Sequence, residues 1–345
     1  MATQVVDTDG HIFEKDQDIF EYLESPYRGR KEVLALPFFP GFDGFHRMAR
    51  RVGDGRPYVI GADDPKTWLE VLDKERIDRT VIYPTSGLAI GFMQDAEWAV
   101  VVCRAYNNMM ADRYIKFNRR LGAVALLPIQ DIQEAAKELR RAVKELHMIG
   151  GILAPVGFPK PLGDTYFDPL YDEAQRLGCP LGIHGAPSRG LGFDFFRNLI
   201  EARALSHPFA QMIHLTSVIL EGVLERFPRL KLASLEAGCE WVPFLMDRLD
   251  MEYKNRTHQA PLLKKKPSEY MTSGQIYYHA ELWETELPRA IERVGEDLFL
   301  YASDYPHEPD LAAAIRAFEA RKDLSDSAKR KILSDNGKRF YGMES

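Results

Sequence analysis

The stretch Asp7-Thr8-Asp9-Gly10-His11 follows the apolar pair Val5-Val6 near the amino terminus. Residues two apart in a β-strand point to the same face, so Asp9 and His11 can both reach one metal ion from the carboxyl end of a first strand. Gly10 has no side chain on the opposite face, where the strand meets its neighbours. On these residues alone, a polar turn after an edge strand is the alternative. The rest of the sequence is needed to distinguish this turn from a metal site.

The composition is that of an ordinary globular protein. The chain has 345 residues, of which 45% are hydrophobic and 28% charged, and this length fits two domains or one large α/β barrel. The net charge of −6 gives no reason to expect nucleic acid or an anionic membrane as a partner. We find neither a basic leader with an apolar run nor a stretch of ~18 apolar residues, so we expect a cytoplasmic protein.

The three cysteines, Cys103, Cys179 and Cys239, lie far apart and include no CxxC pair. This spacing argues against a disulfide framework and against a thiolate zinc site. We therefore predict buried thiols.

Short apolar segments alternate regularly with segments of helical periodicity. After the first strand, the predicted strands cover residues 78–84, 121–128, 150–155, 180–185, 230–236, 275–281 and 298–307, and the predicted helices include 95–118, 132–147, 168–177, 209–225, 241–253 and 287–294. Continuously apolar strands separated by helices are typical of a parallel sheet that is buried on both faces. Eight such units favour a closed (β/α)8 barrel, with a doubly wound open sheet as the alternative.

We predict one domain over residues 1–345, with an insertion at 15–65 and a helical tail at 325–345. The insertion is rich in Phe, Pro, Gly and Arg, and long apolar loops of this kind are often lids or binding loops. Its basic and aromatic side chains could clamp an anionic aromatic substrate through bidentate contacts, and the residues concerned are Phe42, Arg47, Arg50 and Arg51. A packed lid with solvent-facing arginines is the alternative.

Polar residues occupy the carboxyl ends of several predicted strands, which converge at the active face of a barrel enzyme. They are Asp9 and His11 on the first strand, His184 on the fifth, Glu236 on the sixth, His279 and Glu281 on the seventh, and Asp304 on the eighth. Each has a structural alternative, such as a buried histidine, a turn-capping aspartate or an ion-paired glutamate. Their joint placement at one end favours a site, and two imidazoles with two carboxylates suit zinc or manganese.

Four strings of the chain resemble the amidohydrolase-related family that includes aminocarboxymuconate semialdehyde decarboxylase and the resorcylate and vanillate-type decarboxylases. The strings are Asp7 to His11, Ile183-His184-Gly185, Leu235-Glu236-Ala237-Gly238-Cys239-Glu240-Trp241-Val242-Pro243, and Ser303-Asp304-Tyr305-Pro306-His307, of which the last is the most specific. The resemblance covers nearly the whole chain. It implies an amidohydrolase-like barrel and a homodimer or higher homo-oligomer. It also implies one divalent ion, zinc with manganese as the alternative, held by Asp9, His11, His184 and Asp304.

Two positions depart from the family pattern. Members often begin with His-x-His or Glu-x-His, whereas this chain has the shorter carboxylate of Asp9. Many family decarboxylases have a histidine after the sixth strand, whereas this chain has Glu236.

The function predicted from the sequence is decarboxylation of a small carboxylated substrate that is aromatic or derived from an aromatic compound. Asp304 or Glu236 would protonate the carbon that loses carbon dioxide, which requires burial to raise the pKa of that acid. We assign His279 and His307 to substrate binding. A hydrolase that uses water on a C–C, ester or amide bond is the alternative, and a hydratase or a non-catalytic binding protein is a lesser one.

Overall fold

The computed structural model describes residues 4–41, 64–154, 156–186, 195–308 and 310–343. Eight strands form one sheet in sequence order, and each successive pair is parallel. The strands are β1 Val6–Ile12, β2 Arg79–Pro84, β3 Leu121–Leu126, β4 Gly150–Leu153, β5 Leu181–Ile183, β6 Leu232–Ser234, β7 Ile276–His279 and β8 Phe299–Leu300.

Main-chain hydrogen bonds join the segment after β8 to β1. The Thr8 amide donates to the Tyr301 carbonyl at 3.0 Å, and the Asp304 amide donates to the Asp9 carbonyl at 2.9 Å. The first and last units therefore meet, and the predicted (β/α)8 barrel is confirmed.

Helices separate the strands. They are α1 Asp16–Phe20, α2 Pro65–Glu75, α3 Ala96–Met110, α4 Ile132–Lys144, α5 Asp168–Leu177, α6 Leu199–Leu220, α7 Val223–Arg226, α8 Val242–Arg256, α9 Pro267–Met271, α10 Leu287–Val294, α11 Leu311–Glu319, α12 Asp326–Arg330 and α13 Asn336–Tyr341. Short 3-10 segments cover Lys31–Ala35, Ser86–Phe92, Thr165–Phe167 and Thr257–Gln259, and π-helical turns cover Ala111–Ile115 and Lys331–Asp335.

Local sequence explains several helix ends. The Asp64 carboxylate accepts hydrogen bonds from the amides of Lys66 and Thr67 at 2.9 and 3.1 Å, which caps α2, and Pro65 occupies its first turn. Helix α5 ends at Leu177 and is followed by the capping residue Gly178, whose φ of +65° suits glycine.

The predicted start of the sixth helix was wrong. Helix α6 begins at Leu199, ten residues before the predicted start at Phe209, and it continues through Pro208. Pro208 removes one backbone donor inside the helix. At the amino end of α6, the Glu201 carboxylate accepts a hydrogen bond from the Asn198 amide at 2.8 Å and caps the helix.

Strand β1 is fully buried although it carries Asp7, Thr8, Asp9 and His11. The Asp7 carboxylate accepts from the Thr80 hydroxyl at 2.6 Å, from the amide and hydroxyl of Ser303 at 2.8 and 2.9 Å, and from the Asp9 amide at 3.1 Å. The Asp7 carboxylate thus accepts hydrogen bonds from β1, β2 and the segment after β8. These bonds fix the position of Asp9 and His11 on β1.

The described part of the predicted insertion packs on α3. The ring of Phe38 lies 5.5 Å from the ring of Trp98, and the Phe38 amide donates to Asp16 at 3.1 Å. Phe42, Arg47, Arg50 and Arg51 lie outside the described residues, so the lid and the arginine clamp stay predictions.

Cys103, Cys179 and Cys239 are buried free thiols, as predicted. Within the described ranges, none of the helices combines the length and apolarity that crossing a membrane requires.

Candidate metal centre

The side chains of Asp9, His11 and His184 converge at the carboxyl ends of the strands. The Nε2 atom of His184 lies 3.1 Å from Oδ2 of Asp9 and 3.1 Å from Nε2 of His11. Nε2 of His11 lies 3.3 Å from Oδ1 of Asp9. Three side chains that β1 and the end of β5 hold fully buried can therefore share one ion.

The outer nitrogens of both imidazoles face backbone carbonyls. Nδ1 of His11 lies 2.9 Å from the Pro84 carbonyl oxygen, and Nδ1 of His184 lies 2.6 Å from that of Gly185. A nitrogen that donates to a carbonyl carries the ring proton, so each Nε2 presents its lone pair to the centre. Within the described chain, the buried Oδ2 of Asp9 has no hydrogen-bond partner. The three acceptor atoms, Nε2 of His11, Nε2 of His184 and Oδ2 of Asp9, point at one place and suit a divalent cation.

The electrostatics of the cluster favour positive charge. Burial lowers the pKa of His11, but Asp9 outweighs burial and raises this pKa to about 10. Burial raises the pKa of Asp9, but His184 and His11 outweigh it, and the pKa lies well below its usual range. Protons and a divalent cation compete for the same lone pairs.

Asp304 lies at the edge of this cluster. Its Oδ1 lies 3.6 Å from Nε2 of His11 and 2.7 Å from Nδ1 of His307, whose Nε2 lies 3.2 Å from the Thr85 hydroxyl. The structure therefore brings Asp304 to the predicted ligands, and it places His307 beside Asp304. Whether His307 also binds substrate stays a prediction.

Glu236 follows β6 and contacts the cluster from another side. Its Oε2 lies 3.3 Å from Nδ1 of His184, and its Oε1 lies 3.3 Å from Nε2 of His207 and 3.7 Å from Nη2 of Arg203. Burial raises the pKa of Glu236, but His207, His184 and Arg203 outweigh it and hold the pKa well below its usual range. Glu236 is therefore a carboxylate here and can accept hydrogen bonds.

His279 ends β7 and is buried. Its Nδ1 accepts from the Glu236 amide at 3.1 Å, and it lies 3.8 Å from the Glu281 carboxylate. His279 thus supports the backbone of Glu236, and its predicted role in substrate binding stays a prediction.

Sequence reasoning missed Arg203 and His207. They lie four residues apart on α6 and so share one helix face. This spacing was the available signal, but the predicted helix began at Phe209 and excluded both residues.

A cavity of about 660 Å³ opens at this end of the barrel. Its lining includes Arg203, His207, Glu236, Trp283, Asp304 and Glu308. A small substrate in this cavity would contact the carboxylates next to the cluster.

A parallel barrel with polar side chains clustered at the carboxyl ends of its strands has the architecture of a barrel enzyme, and its Asp-His-His cluster could hold a metal ion. The chain belongs to the amidohydrolase family, whose model matches residues 6–343.

Known relatives of the chain are decarboxylases. The 2-amino-3-carboxymuconate-6-semialdehyde decarboxylase of Dictyostelium discoideum is 23% identical over 283 residues, covering 81% of this chain and 77% of that protein. The gamma-resorcylate decarboxylase of a Rhizobium species is 26% identical over 300 residues, covering 82% and 88%. These relatives confirm the family resemblance and identify the chain as an enzyme of this family.

Solved structures share the fold. The 5-carboxyvanillate decarboxylase of Sphingomonas paucimobilis matches with a TM-score of 0.79 at 24% identity, covering 99% of this chain and 100% of that one. The 5-carboxyvanillate decarboxylase of Novosphingobium aromaticivorans, solved with manganese and 4-hydroxy-3-methoxy-5-nitrobenzoic acid, matches with a TM-score of 0.74 at 19% identity, covering 99% and 97%.

Proposed function

We propose that this protein is a metal-dependent decarboxylase of small carboxylated aromatic compounds. The observation that carries the proposal is the set of inward-facing acceptors of Asp9, His11 and His184 beside the carboxyl group of Asp304, which lines the cavity. The decarboxylase relatives support this reaction over the others that the barrel can host.

Asp9, His11, His184 and Asp304 would hold one divalent ion. Two imidazoles and two carboxylates are compatible with zinc and with manganese, and the manganese in the Novosphingobium enzyme makes manganese the first metal to test. When bound, such an ion supplies a Lewis acid that polarises a substrate oxygen.

The protein's own residues would move the proton. A protonated Asp304 donates its proton to the ring carbon that bears the carboxylate. The bond between this carbon and the carboxylate then breaks, its electron pair returns to the ring, and carbon dioxide leaves. Asp304 regains a proton from water, His307 orients its carboxyl group, and the Glu236 carboxylate accepts a hydrogen bond from a ring hydroxyl.

The test is a panel of hydroxybenzoates that includes 2,6-dihydroxybenzoate and 5-carboxyvanillate. We expect the manganese-loaded or zinc-loaded enzyme to release one carbon dioxide per molecule of decarboxylated ring product. Absence of carbon dioxide from every carboxylated aromatic compound tested would contradict the proposal.

Hydrolysis is the second candidate, because the ionised Glu236 lies 3.3 Å from His184. A carboxylate in this position can take a proton from a water that attacks a carbonyl. Under this alternative, aryl esters or amides are cleaved without carbon dioxide release, and Glu236→Gln abolishes the cleavage. A homo-oligomeric assembly and a cytoplasmic location stay predictions from the sequence.

A further inference from the structure

We propose that Arg203 is the anchor for the substrate's carboxylate in the cavity beside Glu236 and Asp304. This inference rests on the proposed function, because it names the group of the substrate that the same cavity recognises. Arg203 lies on α6, its side chain is 41% exposed, and it lines the cavity.

The guanidinium lies among three acidic side chains. Its Nη2 is 3.7 Å from Oε1 of Glu236, 4.0 Å from Oδ2 of Asp304 and 4.0 Å from Oε1 of Glu308. A guanidinium can donate two parallel hydrogen bonds to one carboxylate, a geometry that a lysine cannot offer. The side chain of Arg203 is 41% exposed and lines the cavity, so a carboxylate ligand there would lie beside the guanidinium.

The described lining of the cavity contains more acidic than basic side chains. The acidic side chains in its lining are Glu236, Glu240, Glu281, Glu284, Asp304 and Glu308. Among the lining residues that the structure describes, Arg203 is the only arginine or lysine. Ionised carboxylates in the lining repel an anionic ligand, and the guanidinium of Arg203 is a positive charge that attracts it.

The position of Arg203 also fits the reaction. A carboxylate bound to the guanidinium lies next to Asp304, because Nη2 and Oδ2 are 4.0 Å apart. The carbon that carries this carboxylate would then face the proposed proton donor. Arg203 would therefore orient the bond that breaks as well as attract the substrate.

The test compares two probes of the same shape, the uncharged 2-hydroxybenzamide and the anionic 2-hydroxybenzoate. Their Kd values are measured by calorimetry on the full chain after treatment with a chelator, so that a metal ion does not contribute. Wild type should bind the acid about tenfold more tightly than the amide, an effect expected of a partly exposed charge pair. Arg203→Gln should remove this preference, and Arg203→Lys should retain part of it.

Arg248→Gln is the matched control. Arg248 pairs with Glu252 at 3.0 Å, and its side chain is 58% exposed outside the lining of this cavity. The control should keep the wild-type preference, and thermal unfolding should establish that each variant is folded. An equal preference in wild type and Arg203→Gln, or none in wild type, would overturn the proposal.

Steady-state kinetics separate this inference from the proposed function. On a substrate that the enzyme decarboxylates, Arg203→Gln should raise KM about tenfold or more. If no hydroxybenzoate is decarboxylated but the acid preference depends on Arg203, the anion site stands and the proposed function fails. If decarboxylation occurs and the KM of Arg203→Gln is unchanged, the anion site fails and the proposed function stands.

Discussion

Asp304 combines a left-handed backbone with contacts to several polar side chains. Its φ is +50°, and Glu236, the other predicted acid, has a φ of +52°. A non-glycine residue in this region costs about 1–3 kcal/mol and persists where its surroundings enforce it. For Asp304, the surroundings include His307 at 2.7 Å and the hydrogen bond from its amide to Asp9 at 2.9 Å. The strain is therefore located at the two carboxyl groups that the chemistry would use.

Asp304→Asn should lower kcat by about 10²- to 10⁴-fold, because the amide cannot transfer the proton that the carboxylic acid donates. The measurement is carbon dioxide release at saturating substrate, with the metal content of each sample determined in parallel.

Asp310→Asn is the matched control, since Asp310 is exposed and also has a positive φ, +59°. It should retain wild-type kcat. Activity of Asp304→Asn within about twofold of wild type, at equal metal content, would exclude Asp304 as the proton donor.

The sequence predicted the residues of the cluster because their positions follow from strand ends. Asp9 and His11 share a strand face, and His184 and Asp304 follow strands that converge at the same end. It could not predict the charge state of Glu236, because that pKa depends on His207 and Arg203, which are brought near only by the packing of α6. Burial alone would raise the pKa of Glu236, whereas the neighbouring His207, His184 and Arg203 lower it.

At the scale of elements, the loops after β6 and β7 are joined by one buried carboxylate. Glu284 accepts from the amides of Cys239, Glu240 and Glu281 at 2.6, 2.9 and 2.9 Å. Its backbone carbonyl accepts from Arg321 at 2.7 Å. The loop that carries Glu236 and the loop that carries Trp283 are therefore held together at the rim of the cavity.

The pH dependence of unfolding should report the burial of Glu284. Burial raises the pKa of Glu284 above its ordinary value of 4.5, although hydrogen bonds from Cys239, Glu240 and Glu281 oppose this. A raised pKa in the folded state contributes stability that is fully present below the unfolded value and is lost as pH rises through the folded value. The free energy of unfolding of wild type, relative to Glu284→Gln, should therefore fall as pH rises above the ordinary pKa of 4.5.

Urea unfolding of both proteins at a series of pH values below and above 4.5 provides the measurement. Glu292→Gln, which alters an exposed glutamate of α10, serves as the control and should follow wild type. A free energy of unfolding of wild type, relative to Glu284→Gln, that stays constant or rises with pH would contradict the assignment.

Element order was predictable from the sequence, and these loop contacts were not. Alternating apolar and helical segments gave eight strands in the observed order. Nothing in local sequence distinguishes Glu284 from Glu281 or Glu286, because two of its partners, the amides of Cys239 and Glu240, come from a loop about 45 residues earlier. Likewise, the predicted helix began at Phe209, directly after a proline, whereas α6 continues through that proline.

For the whole molecule, the cluster links parts of the barrel that are distant in sequence. Asp9 and His11 come from β1, His184 follows β5, and Asp304 follows β8. An ion held by these residues would join the first, fifth and eighth units, and its binding to the folded state alone would raise thermal stability. The sequence predicted this convergence, because all strands of a parallel barrel end at the same face.

Metal content is the most direct test of the central claim that Asp9, His11 and His184 form a divalent-metal centre. Elemental analysis would compare wild type, His184→Ala and the control His258→Ala, which alters an exposed histidine, after incubation with manganese or zinc and removal of free metal. We expect about one ion per chain in wild type and in His258→Ala, and loss of the ion in His184→Ala. A wild type that stays metal-free, or a His184→Ala variant that retains the full content, would contradict the account.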